Sequence, residues 1–240
     1  QHGLKNNILD LDLIIPLGRL VVVAGVSGAG KSSLVHGVIG ETIANGKAAA
    51  DRCSWALGAA RLQSSLPIER LLVVDQKPIG SNPRSTPASY LGILNEFRAL
   101  FANTIEAKTC GWNASFFSYN TGKGRCPVCE GRGEIKLEMS FLADASMVCE
   151  ACRGTRYREE AKSVRFLDHN IDEVLRMTIE EAAILFSNHR KIHHVLHAAC
   201  EIGLGYLTLG QSSTTLSGGE SQRIKLVSEL GSRRKGHTLY

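Results

Sequence analysis

The sequence holds no apolar run long enough to cross a bilayer. About 18 consecutive apolar residues are needed for that, and the longest candidate, Leu20–Ala24, has the length of a short strand. The N-terminus has no charged-then-apolar export pattern, so a cytoplasmic chain without membrane contact is expected. Neither sign of charge prevails: 28 Lys and Arg against 23 Asp and Glu leave +5. That surplus tolerates a polyanionic partner without demonstrating one. Hydrophobic residues at 43% and charged residues at 21% exclude a disordered or fibrous chain. The 240 residues can bury a real core as one large domain or two small ones. A dispersed disulfide pattern is also missing. Of seven cysteines, four form two CxxC pairs and three (Cys53, Cys110, Cys200) are scattered, which in a reducing compartment favours metal.

What is present begins with alternation of elements. Residues 8–15 alternate apolar and polar as a half-buried strand, and Leu20–Ala24 reads as a buried, β-branched strand. A loop at Gly25–Gly30 leads into a helix over Lys31–Ile43, and Leu71–Val74 reads as a further strand. Such alternation predicts a parallel α/β sheet. Residues 44–66, rich in Ala and Ser, read as a surface excursion, and Tyr90–Ala102 has helical periodicity. Between 121 and 158 Gly, Cys and charges replace large apolar residues, so that stretch needs a stabiliser besides a core. Helices are expected near 171–177, 178–187 and 189–202, and a last one from the Leu216–Glu220 loop to about Leu230.

Gly25-Val26-Ser27-Gly28-Ala29-Gly30-Lys31-Ser32, followed by Ser33, fits GxxxxGK[ST] in full. Glycines let backbone N–H groups close on phosphates, Lys31 reaches the β/γ oxygens, and Ser32 offers a hydroxyl to Mg²⁺. The alternative is a Gly-rich turn with a chance lysine; the strand before and helix after favour ATP binding. Downstream, Leu216-Ser217-Gly218-Gly219-Glu220 resembles the signature loop of ATP-binding cassettes. A hydroxyl and bare backbone N–H groups at a helix start make a second anion site. A plain Ser/Gly helix cap is the competing explanation. Gln76, after the Leu71–Val74 strand, matches the Q-loop position of cassettes, though a strand-end polar residue accounts for it as well.

Between these lie Cys126-x₂-Cys129 and Cys149-x₂-Cys152, nineteen residues apart. Two knuckles make a closed, tetrahedral Cys₄ site, which assigns Zn²⁺ a structural role. Gly131, Gly133 and Gly154 stand where knuckles turn sharply. A redox CxxC pair is the alternative. The CxxCxGxG flavour is also similar to co-chaperone zinc repeats, but those carry no phosphate loop. His189, His193 and His197, with Cys200 a turn on, could be a metal stripe or a solvated basic face; the second fits Arg190 and Lys191 beside them. Trp112, Phe116, Phe117 and Tyr119 could stack bases or pack. Basic residues around the knuckles are interleaved with glutamates, a modest local excess.

The order of these motifs, with HGLKNNILDLDLIIPLGRLVVVAGVSGAGKSSL, DQKPIGSNPRSTPASY, GRCPVCEGRGEIKLEMSFL, CEACRGTRY and GLGYLTLGQSSTTLSGGESQRIKLVSEL, resembles the C-terminal nucleotide-binding half of the UvrA family of excinuclease ABC proteins almost end to end. The resemblance implies an α/β ABC-type P-loop ATPase head with an inserted Cys₄ zinc-binding, mostly helical signature subdomain. It implies an ATP-binding core over 1–81 and the insertion over 82–200, with its zinc module at 121–158. The signature loop and helix follow over 201–240. By the same resemblance the cofactors are ATP, Mg²⁺ and Zn²⁺, and the partners are lesion-bearing double-stranded DNA, UvrB and a second copy. The function implied is ATP-dependent damage recognition in bacterial nucleotide excision repair. Gln76 would sense Mg²⁺ and the attacking water, and the signature loop would close on a nucleotide held by another half. The sequence stops at Thr238-Leu239-Tyr240, where the family's Walker B strand begins. Its catalytic carboxylates are thus expected beyond the chain, with turnover absent from the 240 residues alone. Two other readings compete: a UvrA-like paralogue or fragment that binds DNA and nucleotide without turnover, as in drug self-resistance, and a transporter ATPase, which the zinc insertion disfavours.

Overall fold

The computed structural model describes residues 8, 11–137, 145–230 and 236–240. The chain divides into two compact units, residues 1–74 with 234–240, and residues 75–233.

In the first unit the helix expected after Gly30 is present. Ser33–Gly40 is wound wide, as a π-type helix, and continues as Glu41–Asn45. Lys47–Ala48, Ser54–Leu57 and Ala60–Gln63 then form a three-stranded antiparallel sheet in that order. The surface excursion expected over 44–66 thus carries an ordered sheet, and its residues are exposed or half-buried apart from Trp55. Leu57 faces Ala60, so Gly58 and Ala59 make a two-residue hairpin turn, and Gly58 takes a φ of +57° that glycine adopts without strain. Trp55, opposite Leu62, is buried and anchors the sheet. Ala and Ser carry little strand preference, and the signal in so short a hairpin rests on Trp55 and Gly58.

The strand expected over 71–74 is Arg70–Leu71, paired in parallel with Thr238–Leu239. It is the one parallel pairing among the named strands of the described residues; the other sheets are antiparallel. The expected buried strand at Leu20–Ala24 is not formed: Leu20 is 94% and Val22 78% exposed, outside any strand. A strand is made by a hydrogen-bonded neighbour rather than by apolar composition, and among the described residues none pairs with 20–24. Of the strand expected at 8–15, residues 9 and 10 lie outside the described residues, and 11–15 are not in strand. The observed architecture is therefore mixed helix and strand.

The second unit is mostly helical. Pro87–Tyr90, Ile93–Ala102, Ile105–Thr109, Glu159–Ser163, Ile171–Arg176, Ile179–Leu185, Arg190–Glu201 and Gly218–Leu230 follow in order. Several of the starts are written in the sequence. Thr86/Ser89, Asn170/Glu173 and Thr178/Glu181 form reciprocal capping boxes, so the first turns satisfy their own N–H groups. Apolar residues at helical spacing then bury one face: Ile93, Phe97 and Phe101 on one helix, Ile192, Leu196 and Ala199 on another. Phe97 meets Phe186 with ring centroids 4.9 Å apart. Burying each of these Ile, Leu and Phe side chains contributes about 1.5–3 kcal/mol. Among the described residues no helix is long and apolar enough to cross a membrane.

Candidate metal centre and nucleotide loops

The four motif cysteines stand at the open end of an antiparallel hairpin, Glu134–Leu137 against Ala145–Val148. Cys129 precedes the first strand and Cys149 follows the second, and Cys149 N–H donates to the Gly133 carbonyl at 3.0 Å. Cys126 N–H donates to the Arg156 carbonyl at 2.8 Å, which closes the other side. The knuckles repeat one geometry. The residue after each second cysteine, Glu130 and Arg153, has φ of +51°, and the glycines that follow, Gly131 and Gly154, have +79° and +80°. Gly131 is required twice over, because a Cβ there would lie 1.8 Å from the Tyr119 carbonyl oxygen. Four residues beyond each second cysteine a backbone N–H reaches its sulfur: Gly133 to Cys129 at 3.3 Å, and Arg156 to Cys152.

All four cysteines are at most 4% exposed. Their sulfurs lie within 4.8 Å of one another, with Cys126–Cys149 at 4.0 Å and Cys129–Cys152 at 3.6 Å. A disulfide needs about 2.05 Å. Four sulfurs at about 2.3 Å from one tetrahedral zinc stand about 3.8 Å apart. The spacing observed suits that ion. Burial pushes the Cys152 thiol up to about 12 and raises Cys129. Cys149 is lowered instead: hydrogen bonds, the Cys152 N–H foremost, outweigh its burial, and a divalent cation among the sulfurs would favour the thiolate form of the two raised thiols. Among the described residues no other group of three or more metal-type ligands converges. The histidine stripe is surface and packing: His189 lies against Phe166 and Phe186, and His197 is 3.6 Å from Glu201. The aromatic cluster also packs. Trp112 stacks on Phe116 at 4.4 Å, and Phe117 and Tyr119 are fully buried.

Beside the hairpin is a groove of about 550 Å³ lined by Asn82, Arg84, Arg132, Lys136, Ser146 and Thr214 with Glu134. Three of its side chains are cationic, and Arg84 lies 3.8 Å from Glu130.

In the first unit the Gly25–Ser32 loop turns at Gly28 and Gly30, with φ of +83° and +86°. Lys31 Nζ folds back over the loop and donates to the carbonyls of Gly25 (2.8 Å) and Val26 (2.6 Å). The loop thus curls around its own ammonium. Ser32 precedes the wide helix and makes no side-chain capping bond.

In the second unit the Leu216–Glu220 loop opens its helix with another capping box. Ser217 N–H donates to Glu220 Oε2 at 2.7 Å, and Glu220 N–H donates to Ser217 Oγ at 3.2 Å. Tyr206 O–H donates to Glu220 Oε1 at 2.6 Å. Those bonds, Tyr206 first and the Ser217 N–H next, hold the Glu220 carboxyl below its ordinary range. Ser217 and Gly219 remain exposed. Gln76 is exposed and lies against Gly218: a Cβ on Gly218 would be 3.2 Å from Gln76 Cβ and 3.7 Å from its Oε1. Sequence reasoning missed Tyr206 and Lys225, the latter holding Asp75 and Lys77 on either side of Gln76. The signal available for Lys225 was its seven-residue spacing from Gly218; Tyr206 had none.

No established family profile matches the chain. It is 46% identical over 237 residues to UvrABC system protein A of Streptococcus pyogenes serotype M3, covering 98% of this chain and 25% of that protein. It is 45% identical over 240 residues to UvrABC system protein A of Methanothermobacter thermautotrophicus, covering 98% of this chain and 24% of that protein. Among solved structures, UvrA2 from Deinococcus radiodurans superposes with a TM-score of 0.85 at 44% identity, over 94% of this chain and 27% of that one. The chain spans about a quarter of the length of the curated relatives it matches. It is homologous, over almost all of its length, to one segment of UvrABC system protein A.

Proposed function

We propose that this UvrA-type segment is the ATP-binding, zinc-bearing part of a damage-recognition protein for nucleotide excision repair. The observation that carries the reading is the buried four-cysteine cluster, set in sequence between Gln76 and the signature loop, which themselves meet at Gly218. Transporter ATPases do not require such a cluster, and a zinc module alone does not require such a loop pair.

The roles follow from chemistry. Gly25–Ser33 would bind ATP, with backbone N–H groups on the phosphates, Lys31 on the β/γ oxygens, and Ser32, whose side chain caps no helix, offering its hydroxyl to Mg²⁺. Lys31 would exchange the Gly25 and Val26 carbonyls for phosphate oxygens, a gain because the new partner is charged. Leu216, Ser217, Gly218, Gly219 and Glu220 would face a nucleotide held by another half. The exposed Ser217 hydroxyl, whose oxygen already accepts from Glu220 N–H, keeps its own proton for an anion. Gln76 would orient Mg²⁺ and water. Cys126, Cys129, Cys149 and Cys152 would hold Zn²⁺, whose four closed positions make it a fold stabiliser. The groove with Arg84, Arg132 and Lys136 supplies the cationic surface that a DNA backbone needs. Loading of UvrB and homodimerisation belong to the whole protein in this reading.

The test is fluorescence anisotropy of the full-length protein on lesion-bearing and intact duplexes, with and without ATP. Selective binding that depends on ATP and is lost in Lys31→Ala supports the reading. Equal affinity for both duplexes under all conditions would sink it.

A further inference from the structure

The signature helix Gly218–Leu230 carries Lys225 seven residues beyond Gly218. Seven residues are two turns less about 20°, so both positions share one face. Against that face lies the segment Asp75–Lys77. Lys225 Nζ donates to the Asp75 carbonyl at 3.1 Å and the Lys77 carbonyl at 2.7 Å, and it forms an ion pair with the Asp75 carboxylate. An ammonium has three protons, and all three are committed to this one short segment. The Lys225 side chain is 15% exposed and the Asp75 side chain 38%, so the ammonium is shielded more than the carboxylate it meets. Gln76, between the two clamped residues, is exposed and seated on Gly218.

An ordinary surface ion pair contributes little and leaves its partners mobile. Lys225 differs because its loss would release two carbonyls at once, from both sides of one residue, and leave the Asp75 carboxylate to the Lys77 N–H at 3.3 Å and the exposed Lys77 ammonium at 3.9 Å. With Lys225 in place the residues on both sides of Gln76 are bonded to the ammonium, and Gln76 packs where Gly218 carries no side chain. Any Cβ there meets Gln76 at 3.2 Å, inside ordinary contact distance. Lys225 has no proton left for an external anion, which separates it from the cations lining the hairpin groove.

We propose that Lys225 is a positioning residue that locks Asp75–Lys77 onto the signature helix, so that Gln76 and the Ser217–Gly219 loop move as one body. Its functional consequence rests on the nucleotide reading above: an event at Gln76 is delivered to the signature loop without rearrangement of the joint. Lys225 touches no substrate in this scheme. It acts through Gln76.

The test is amide hydrogen exchange of the full-length protein, for wild type, Lys225→Met, Asp75→Asn and Lys225→Arg, first without nucleotide. Lys225→Met and Asp75→Asn should each speed exchange at 76–79 and 219–222 together by about tenfold or more, the scale of one lost charge-assisted bond. The 93–102 helix should keep its wild-type rate, and Lys225→Arg, with donors to spare, should restore much of the protection. With ATP added, wild type should gain protection at both segments, and Lys225→Met at the phosphate loop only. Unchanged exchange at 76–79 in both Lys225→Met and Asp75→Asn overturns the proposal. So does a rise in either variant that is equal at the 93–102 helix, since Lys225 would then be a general stabiliser. The nucleotide-free arm stands whatever the ligand is; loss of nucleotide binding in Lys31→Ala tests the other reading separately.

Discussion

Tyr206 donates a 2.6 Å hydrogen bond to Glu220, the same carboxylate that accepts the Ser217 N–H and so closes the signature helix. One glutamate thus orders the loop from two directions. Tyr206→Phe should raise the Glu220 pKa and destabilise the second unit modestly, by about 0.5–1 kcal/mol, since an exposed charge-assisted bond is discounted by solvent. Thermal denaturation of the variant, with NMR titration of Glu220, reads both effects; an unmoved Glu220 titration would refute the assignment.

That pair also predicts a pH window. Glu220 is lowered in the folded protein from 4.5, chiefly by the Tyr206 bond, so its contribution is present above 4.5 and lost as pH falls through the lower folded value. Tyr206 is raised from 10.0 by the same bond, so its contribution is present below 10.0 and lost as pH rises through the higher folded value. The stability difference between wild type and Tyr206→Phe should therefore be flat across neutral pH and shrink at both extremes. Urea midpoints over a pH series would measure it, and a difference independent of pH would refute the linkage.

Metal removal should act locally first. Purified protein should contain stoichiometric zinc by elemental analysis, and chelation or Cys149→Ser should release protection across 126–137 and 145–157 before the 93–102 helix loses its own. Absence of zinc, or melting of both segments together, contradicts a structural Cys₄ site.

Gly131→Ala should cost more than a glycine substitution in an open turn. Its φ of +79° is unfavourable for alanine, and the new Cβ would fall 1.8 Å from the Tyr119 carbonyl. The loss should reach about 2 kcal/mol or more, the upper range for a strained backbone position. Gly58→Ala is the control: it has a positive φ of +57° but open space, and should cost less. Comparable melting temperatures for the two variants would show that the close approach is relieved.

Phe97→Ala, by contrast, tests the helical core. Phe97 is fully buried against Phe186, and its removal should cost about 3–5 kcal/mol without changing zinc content. Loss of zinc in step with stability would mean that the core and the knuckles are not separable.

How far the sequence was legible depends on whether a signal is local. The helices that begin at Ile105, Ile171 and Ile179 carry their own side-chain caps, so Thr178 and Glu181 announce a start that the structure keeps. The cysteine pairs announce their convergence, because a hairpin is the shortest way to bring two knuckles together. Leu20–Ala24 carries the composition of a strand, but strand formation depends on partners elsewhere in space, and composition cannot supply them. The 54–63 hairpin was hidden for the opposite reason: Ala and Ser masked a turn that only Gly58 and Trp55 mark. Tyr206 was illegible because it acts on a residue fourteen positions away and nothing in a linear pattern links the two; the seven-residue spacing of Lys225 from Gly218 gives its helix face but not its partner, 150 positions away.

Tyr119 ties a helix start to a cysteine knuckle. Its hydroxyl meets Thr86 Oγ1 at 3.0 Å, its ring lies beneath the Arg156 guanidinium at 5.2 Å, and its carbonyl leaves no room for a side chain at Gly131. It is therefore fixed at one end by a helix cap and at the other by a knuckle. The six residues between Tyr119 and Cys126 serve as a ruler: one residue added or deleted there would put the first cysteine pair out of step with the second. Variation in length among natural or engineered forms of this segment should accordingly be excluded from 120–125.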